Sequence, residues 1–186
     1  MVTAEVLQKL SLRLKPLSDE QGANAAVALI LKPNKGLFDV LLVKRAINAR
    51  DVWAGQMALP GGKREPEDLT LQSTVIRETK EEIGINIANN RFLGVLKAVK
   101  PMTGSGFLVL PFVVELERSY RLRLNCKELE SYLWVPYQGI LSRRSRTLIP
   151  GVGEVPTFLM KNAVVWGMTY YILNEFSMII ENPTTQ

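Results

Sequence analysis

Runs of apolar residues along the chain predict several strands. Residues 24–32 and 38–46 form two nearly continuous apolar runs, separated by a polar turn at residues 34–36. Apolar runs of this length on either side of a turn are typical of two buried strands joined as a hairpin. Residues 92–99 and 107–116 have the same character, so we expect two more strands there.

Two other stretches carry apolar residues at helical spacing. Between residues 69 and 83 these residues recur at every fourth position, which predicts a helix that Gly84 is well placed to end. Between residues 163 and 180 the stripe includes Trp166 and Tyr170. We interpret this aromatic stripe as core packing, because helical spacing of apolar residues usually marks the buried face of a helix.

Three shorter features complete the predicted fold. Residues 1–20 are amphipathic and lack a small-residue cleavage site, so we expect a helical surface extension and not a signal peptide. Pro111 predicts a bulge or an edge position in its strand, and residues 121–125 are a candidate for a further short strand. Together these strands and helices predict an α/β (α+β) fold, an α/β/α sandwich with a central mixed sheet, in a single domain over residues 1–186.

Composition narrows the chemistry that this fold can carry. The chain has no histidine, which excludes His-based triads and His-metal sites, and its single cysteine cannot form an internal disulfide. We therefore expect a reducing, cytoplasmic location, and we expect Cys126 to be buried and inert. No apolar run approaches the roughly 20 residues that cross a bilayer, so we expect no membrane association.

The balance of charge is modestly basic. Lys and Arg number 23 against 18 Asp and Glu, for a net charge of +5. This excess favours either a polyanionic substrate or simply a surface with slightly more of one sign. Basic residues do not form a stripe interleaved with aromatic residues, which argues against a nucleic-acid partner.

Acidic residues are nevertheless concentrated in the first predicted helix. Glu78, Glu81 and Glu82 have the spacing i, i+3 and i+4, so they share one face of the helix and repel one another. A bound cation would relieve this repulsion, and carboxylate oxygens suit Mg²⁺ or Mn²⁺. An acidic, solvated helix face is the alternative that these three residues alone leave open.

The segment that leads into the helix favours the cation. Gly61 and Gly62 allow the backbone to approach a metal ion or a phosphate closely. Arg77 can turn back to pair with a carboxylate of the loop, most plausibly Asp68, which would fix the loop against the helix. Glycines, arginine and carboxylates together suit the binding of a diphosphate with metal ions.

Residues 61–85 resemble the Nudix box, whose usual form is G-x(5)-E-x(7)-R-E-U-x-E-E-x-G-U, where U is a bulky aliphatic residue. Gly62, Asp68 and residues 77–85 carry the match. Three departures occur, namely Asp at 68, one extra residue before the arginine, and Thr79. These departures resemble the coenzyme A diphosphatase branch of the family.

Residues 41–62 are similar to the segment that precedes the box in coenzyme A diphosphatase-like members, and residues 155–173 resemble the end of such enzymes. The matching positions of the first segment are Leu41, Leu42, Arg45, Ala46, Arg50, Gly55, Pro60, Gly61 and Gly62. Four residues, where the pattern has three, separate Arg50 from Gly55. This spacing keeps ADP-ribose, NADH or another nucleotide derivative open as the substrate.

The resemblance implies an enzyme that hydrolyses a nucleoside diphosphate linked to another group. The expected substrate is coenzyme A or acyl-coenzyme A, giving 3′,5′-ADP and 4′-phosphopantetheine. It implies Mg²⁺ or Mn²⁺ held by Glu78, Glu81, Glu82 and the Gly61 carbonyl, with Glu81 or Glu82 as general base. Arg77 would orient the box.

The resemblance also implies groups outside the box. A further carboxylate is expected from Glu115, Glu117, Glu128 or Glu130. From their own chemistry, Arg45, Arg50 and Lys63 could neutralise substrate phosphates, with exposed surface cations as the alternative. Trp53, Phe107 and Met102 could form a wall for the nucleobase, although Trp53 could equally pack under its loop or in a dimer contact. Relatives often form homodimers, so that assembly is an option. A non-catalytic binding module is the alternative from another class, but such modules typically lose box carboxylates and this chain keeps all three.

Overall fold

The computed structural model describes residues 2–35, 37–48, 53–102, 106–160 and 163–181. Fourteen elements follow one another along these residues. They are α1 (Val2–Ser11), β1 (Ala25–Pro33), β2 (Phe38–Arg45), β3 (Met57–Ala58), β4 (Gly61–Lys63), α2 (Leu71–Ile83), β5 (Arg91–Val95), β6 (Val109–Glu115), β7 (Leu129–Pro136), α3 (Tyr137–Leu141), β8 (Arg144–Ile149), β9 (Gly153–Met160), β10 (Ala163–Val165) and α4 (Gly167–Glu181).

The central sheet is mixed, as the sequence predicts. Its main path runs β3-β2-β1-β6-β5, with β7 on the other side of β2 and β4 beside β1. Strands β1 and β6 are parallel, whereas β1 and β2 form the predicted antiparallel hairpin. β1 pairs with β2 over residues 31–33 and with β4 over residues 25–27, so one strand serves two neighbours on the same side. β8, β9 and β10 form a separate three-stranded antiparallel sheet.

Helices cover both faces of the central sheet. Alternate residues of β1 point to opposite faces, so Leu29 joins one apolar cluster and Ile30 the other. α2 packs on the Ile30 face through residues that include Val75, whereas α1, α3 and α4 pack on the Leu29 face through residues that include Leu7 and Phe176. The predicted α/β/α sandwich is therefore confirmed.

The ends of α2 are set by local sequence. Thr70 accepts a hydrogen bond from the Ser73 N–H while the Ser73 side chain accepts one from the Thr70 N–H, which forms a capping box. Gly84 ends the helix in the left-handed region at φ 72°, where a residue without Cβ is favoured. The predicted helix is thus present, beginning at Leu71.

Residues 121–125 do not form the strand that their alternation suggests. The Arg123 N–H donates to the Ile83 carbonyl at 2.9 Å, and the Asn125 N–H donates to the Glu82 carbonyl at 2.8 Å. The last carbonyls of a helix have no partner within the helix. This segment supplies those partners, so its backbone donors serve the end of α2 and not a neighbouring strand.

The prediction for Pro111 was wrong in a related way. Pro111 lies inside β6, between β1 and β5, and the irregular pairing occurs in β5 between Phe92 and Gly94. The Pro111 carbonyl accepts from the Leu96 N–H at 3.0 Å, just beyond the end of β5. Its missing N–H faces the same side, where the Leu96 carbonyl accepts from Nε2 of Gln21 at 2.9 Å instead, so proline is tolerated there.

Three other expectations change in extent. The strand predicted over 92–99 ends at Val95, and the helix predicted over 163–180 begins only at Gly167, because residues 163–165 pair with β9 as β10. Within residues 1–20 the helix spans Val2–Ser11.

None of the helices formed by the described residues has the length and apolarity that a bilayer crossing requires. Cys126 is exposed, not buried as predicted, because it lies in the turn before β7.

Candidate active site

The glycine pair of β4 lies directly beneath α2. The Gly61 N–H donates to Oε2 of Glu82 at 2.9 Å, which joins the strand to the helix across 21 residues of sequence. Glu82 is only 3% exposed. Burial raises the pKa of Glu82 to about 8, although the hydrogen bond from Gly61 acts in the opposite direction. The ionised form of Glu82 is therefore costly at this buried position unless a positive charge lies close by.

Glu78 occupies the space that a side chain on Gly62 would take. A Cβ built on Gly62 would lie 2.5 Å from Cδ of Glu78. Partial burial raises the pKa of Glu78, and the neighbouring Arg77 opposes that rise. Residue 62 must therefore lack a side chain for the Glu78 carboxylate to lie where it does.

The predicted ion pair between Arg77 and Asp68 is present. Nη2 and Nε of Arg77 lie 2.9 and 3.3 Å from the two carboxylate oxygens of Asp68, a bidentate arrangement. Asp68 is buried, and its hydrogen bonds with Arg77 lower its pKa to about 2. Nη2 of Arg77 also donates to the Lys63 carbonyl at 3.0 Å, so the arginine ties the loop and β4 to α2.

The three carboxylates of the box are not equivalent. Nη1 of Arg77 lies 3.0 Å from Glu78 and 3.1 Å from Glu81, between the two side chains. Glu78 and Glu82 line a pocket beside β4, whereas the Glu81 side chain is 56% exposed and does not line it. Over the described part of the chain, no three acidic, histidine or cysteine side chains already stand close enough to hold a metal ion.

One carboxylate from outside the box joins this site. Glu128 lines the same pocket, and its charge contributes to the raised pKa values of Glu78 and Glu82. Nδ2 of Asn125 donates to Glu128 at 2.7 Å and holds its side chain. Among the other predicted candidates, Glu115 pairs with Arg91, Glu130 pairs with Lys44, and Glu117 is exposed; none of them lines the pocket.

The pocket has a volume of about 350 Å³ and two different walls. The charged and glycine residues of one wall are Arg45, Gly61, Gly62, Lys63, Glu78, Glu82 and Glu128. The other wall is mainly apolar and includes Trp53, Met57, Met102, Phe107, Val152, Trp166 and Met168. Such a cavity accepts a ligand with a charged part and a large apolar or aromatic part.

Four of the five predicted substrate residues line this pocket. They are Arg45, Trp53, Lys63 and Phe107. The ammonium group of Lys63 lies 4.2 Å from the centre of the Phe107 ring, a cation–π contact at the junction of the two walls. Arg50, the fifth, lies outside the described residues.

Sequence reasoning missed part of the apolar wall. Trp166 was interpreted as core packing on a helical stripe, yet it precedes α4 and lines the pocket together with Met168. Gly167, between these two residues, has φ 60° and could have signalled a break in the helix. Val152, in the turn between β8 and β9, also gave no sequence signal.

Comparisons with known proteins relate this chain to one family. The NUDIX domain model matches residues 22–150. The uncharacterized Nudix hydrolase NudL of Photorhabdus laumondii is 29% identical over 189 residues, which cover 96% of this chain and 97% of the relative. The mitochondrial coenzyme A diphosphatase NUDT8 of Homo sapiens is 29% identical over 170 residues, which cover 88% of this chain and 71% of that protein.

A solved structure shares the fold. The MutT protein from Methanosarcina mazei Go1 superposes with a TM-score of 0.57 at 24% identity, covering 92% of this chain and 98% of that one. At this level of identity the likeness supports the architecture of the chain and says nothing of its substrate.

Proposed function

Because this chain belongs to the Nudix family, we propose that it is a metal-dependent diphosphatase whose substrate is coenzyme A or acyl-coenzyme A. The observation that carries the proposal is the pocket itself, in which Glu78, Glu82 and Glu128 share one cavity with a largely apolar wall. Coenzyme A has a charged diphosphate, which suits the charged wall, and a nucleoside and a long neutral chain, which suit the apolar wall.

Divalent ions fit the donor set of the charged wall. Carboxylate oxygens and a backbone carbonyl are the hard ligands that Mg²⁺ and Mn²⁺ prefer. We assign Glu78, Glu82 and the Gly61 carbonyl as ligands, with Glu81 reaching the ion by rotation of its exposed side chain. When bound, such an ion neutralises charge on the diphosphate and lowers the pKa of a water molecule.

The pairing of β4 with β1 supports the role of the Gly61 carbonyl. The Arg64 N–H donates to Asn24 O at 3.0 Å, and the Ala28 N–H donates to Pro60 O at 2.8 Å. In an antiparallel pair, residues bonded to the partner strand alternate with residues whose N–H and C=O point the other way. Gly61 belongs to the second set, so its carbonyl faces away from β1.

The remaining groups have distinct roles. Glu82 is the candidate general base, because its carboxylate lies in the pocket and is held there by the Gly61 N–H at 2.9 Å; Glu81 is the alternative. Arg77 orients the carboxylates through its contacts with Asp68 and Glu78. Lys63 and Arg45 neutralise substrate phosphates, and Trp53 and Phe107 contact the base or the neutral chain.

Support for coenzyme A comes from the sequence segment before the box and from the activity named for the human relative. ADP-ribose, NADH and related nucleotides remain the alternative substrates, since fold and box are shared across such activities. We further propose one Nudix domain over residues 1–186, a cytoplasmic location and a homodimer as the assembly to test.

A product assay with Mg²⁺ or Mn²⁺ tests the proposal. Coenzyme A, ADP-ribose, NADH and diadenosine polyphosphates are offered side by side, and products are separated by chromatography. Release of 3′,5′-ADP and 4′-phosphopantetheine from coenzyme A is the expected result. If only another diphosphate is cleaved, the proposed substrate is wrong but the proposed diphosphatase reaction stands. Full turnover by a Glu82→Gln variant would overturn the catalytic assignment.

A further inference from the structure

Two amide side chains just before β1 bind the backbone of one loop in the same manner. Nε2 of Gln21 donates to the Leu96 carbonyl at 2.9 Å, and Oε1 of Gln21 accepts from the Ala98 N–H at 2.9 Å. One side chain therefore satisfies a carbonyl and the N–H two residues later, as a neighbouring strand would.

Asn24 repeats this arrangement ten residues further along the loop. Nδ2 of Asn24 donates to the Gly106 carbonyl at 3.3 Å, and Oδ1 of Asn24 accepts from the Leu108 N–H at 2.9 Å. The backbone N–H of Asn24 also donates to the Leu108 carbonyl at 3.0 Å. Residues 21–24 thus hold both sides of the loop.

The loop is closed at its base by its own backbone. Val99 and Val109 exchange two hydrogen bonds, both of 2.9 Å. Between them, Pro101, Met102 and Phe107 line the pocket, and Phe107 lies beneath the Lys63 ammonium. The position of this wall relative to the carboxylates therefore depends on what anchors the loop.

The backbone at Gln21 shows that the first anchor is maintained against local preference. Gln21 has φ 54°, the one described residue other than glycine with a positive φ. This conformation is unfavourable for a residue with a side chain and persists only where surrounding contacts determine it. The two hydrogen bonds to residues 96 and 98 are such contacts, and the next residue, Gly22, also has a positive φ of 70°.

We propose that Gln21 and Asn24 are positioning residues that fix residues 96–102 and 106–108, which contribute Pro101, Met102 and Phe107 to the apolar wall of the pocket, and so determine substrate affinity. Neither side chain lines the pocket, so each acts through the backbone of the loop. A loop held in its binding position before substrate arrives loses less conformational freedom on binding. The kinetic part of this proposal rests on the diphosphatase activity proposed above.

Gln21→Ala, Asn24→Ala and the isosteric Asn24→Asp test the proposal, with Asn90→Ala as the matched control. Asn90 is also an amide that bridges two segments, accepting from the Glu117 N–H at 3.2 Å and donating to the Tyr120 hydroxyl at 2.8 Å, but it does not line or contact the pocket loop. Asn24→Asp keeps the acceptor for Leu108 and replaces the donor facing the Gly106 carbonyl.

The expected result is a rise in KM of about five- to tenfold in each Gln21 and Asn24 variant with kcat within twofold, as the loss of one or two hydrogen bonds predicts. Hydrogen exchange followed by mass spectrometry should be faster in peptides covering residues 96–110 and unchanged in α2. Asn90→Ala should lower the melting temperature while leaving KM and exchange of the loop unchanged.

Unchanged loop exchange in all three variants would overturn the proposal, as would faster exchange with an unchanged KM. A rise in KM of the same size in Asn90→Ala would also overturn it, because the effect would then be general destabilisation. Lack of turnover in the unmodified enzyme would contradict the proposed function instead, and the exchange experiment would still decide whether the two amides hold the loop.

Discussion

The carboxylate of Glu78 sits where a Cβ on Gly62 would be, so glycine at position 62 and glutamate at position 78 depend on each other. The clash would involve only the far end of the Glu78 side chain, at 2.5 Å from its Cδ. At Gly61 the situation differs, because a Cβ there would lie 2.6 Å from the backbone Cα of Val27. Gly62 therefore leaves room for the Glu78 side chain of the site, whereas Gly61 leaves room for the backbone of the neighbouring strand β1.

Gly62→Ala should reduce turnover by roughly 10- to 100-fold while the fold is retained, because it displaces Glu78, which we propose as a metal ligand. The measurement is kcat/KM at saturating Mn²⁺ together with thermal unfolding. Gly61→Ala is the contrasting variant and should unfold at a markedly lower temperature, because β4 must move away from β1. Full activity of Gly62→Ala would show that Glu78 is not needed where it lies.

Glu128→Gln should lower kcat by about tenfold or more, because Glu128 lines the same pocket as Glu78 and Glu82 and its charge acts on both. Glu130→Gln is the matched control, since Glu130 lies two residues away and pairs with Lys44 at the surface at 2.7 Å. Steady-state kinetics on both variants distinguish them. Equal losses in the two variants would remove Glu128 from the site.

Asp68→Asn should lower the free energy of unfolding at neutral pH by about 3 kcal/mol, because it leaves a partly buried Arg77 without its main partner. The pKa of Asp68 is lowered to about 2 from 3.8, so its ionised form stabilises the fold above pH 4, and this stabilisation is lost as the pH falls from 4 towards 2. Urea unfolding at several pH values should therefore show the difference between the two proteins shrinking in that interval.

Glu65→Gln provides the control for this ion pair. Glu65 lies 3.8 Å from Nε of Arg77 and its side chain is 57% exposed. An exposed pair of this kind contributes less than about 1 kcal/mol. A loss of stability as large as that of Asp68→Asn would contradict the assignment of Asp68 as the main anchor of Arg77.

Tyr137→Phe should leave stability unchanged or raise it by about 1 kcal/mol, because the buried Tyr137 hydroxyl has no hydrogen-bond partner among the described residues. The ring itself packs against Phe38 and Phe176, with centroids 5.0 and 5.8 Å away, and phenylalanine preserves those contacts. Tyr120→Phe should instead lose stability, since the Tyr120 hydroxyl accepts from Asn90. Chemical denaturation of both variants measures the difference.

Local periodicity was sufficient to predict much of the fold from sequence. The hairpin of β1 and β2 and the helix α2 follow from runs and spacings within about fifteen residues. The pairing of Arg77 with Asp68 was also predictable, because both residues belong to one loop and the helix that follows it. These features depend on segments that are close in sequence.

Features that depend on distant segments could not be predicted. Residues 121–125 alternate as a strand does, but their donors meet the end of α2, which sequence periodicity does not reveal. Glu128 could not be chosen over Glu130, because the choice depends on which side of the turn before β7 faces the box. Trp166 was misread because a helical stripe in sequence does not show where the helix begins.

The two walls of the pocket come from different stretches of the chain. The carboxylates and glycines belong mainly to β4 and α2, joined by Arg77, whereas Met102, Val152 and Trp166 come from three separate connections elsewhere in the sequence. Mutations in those connections can accumulate without disturbing the groups that break the bond. Descendants of this enzyme can therefore acquire a preference for a different molecule through changes in the connecting segments, while they inherit the hydrolytic machinery unaltered.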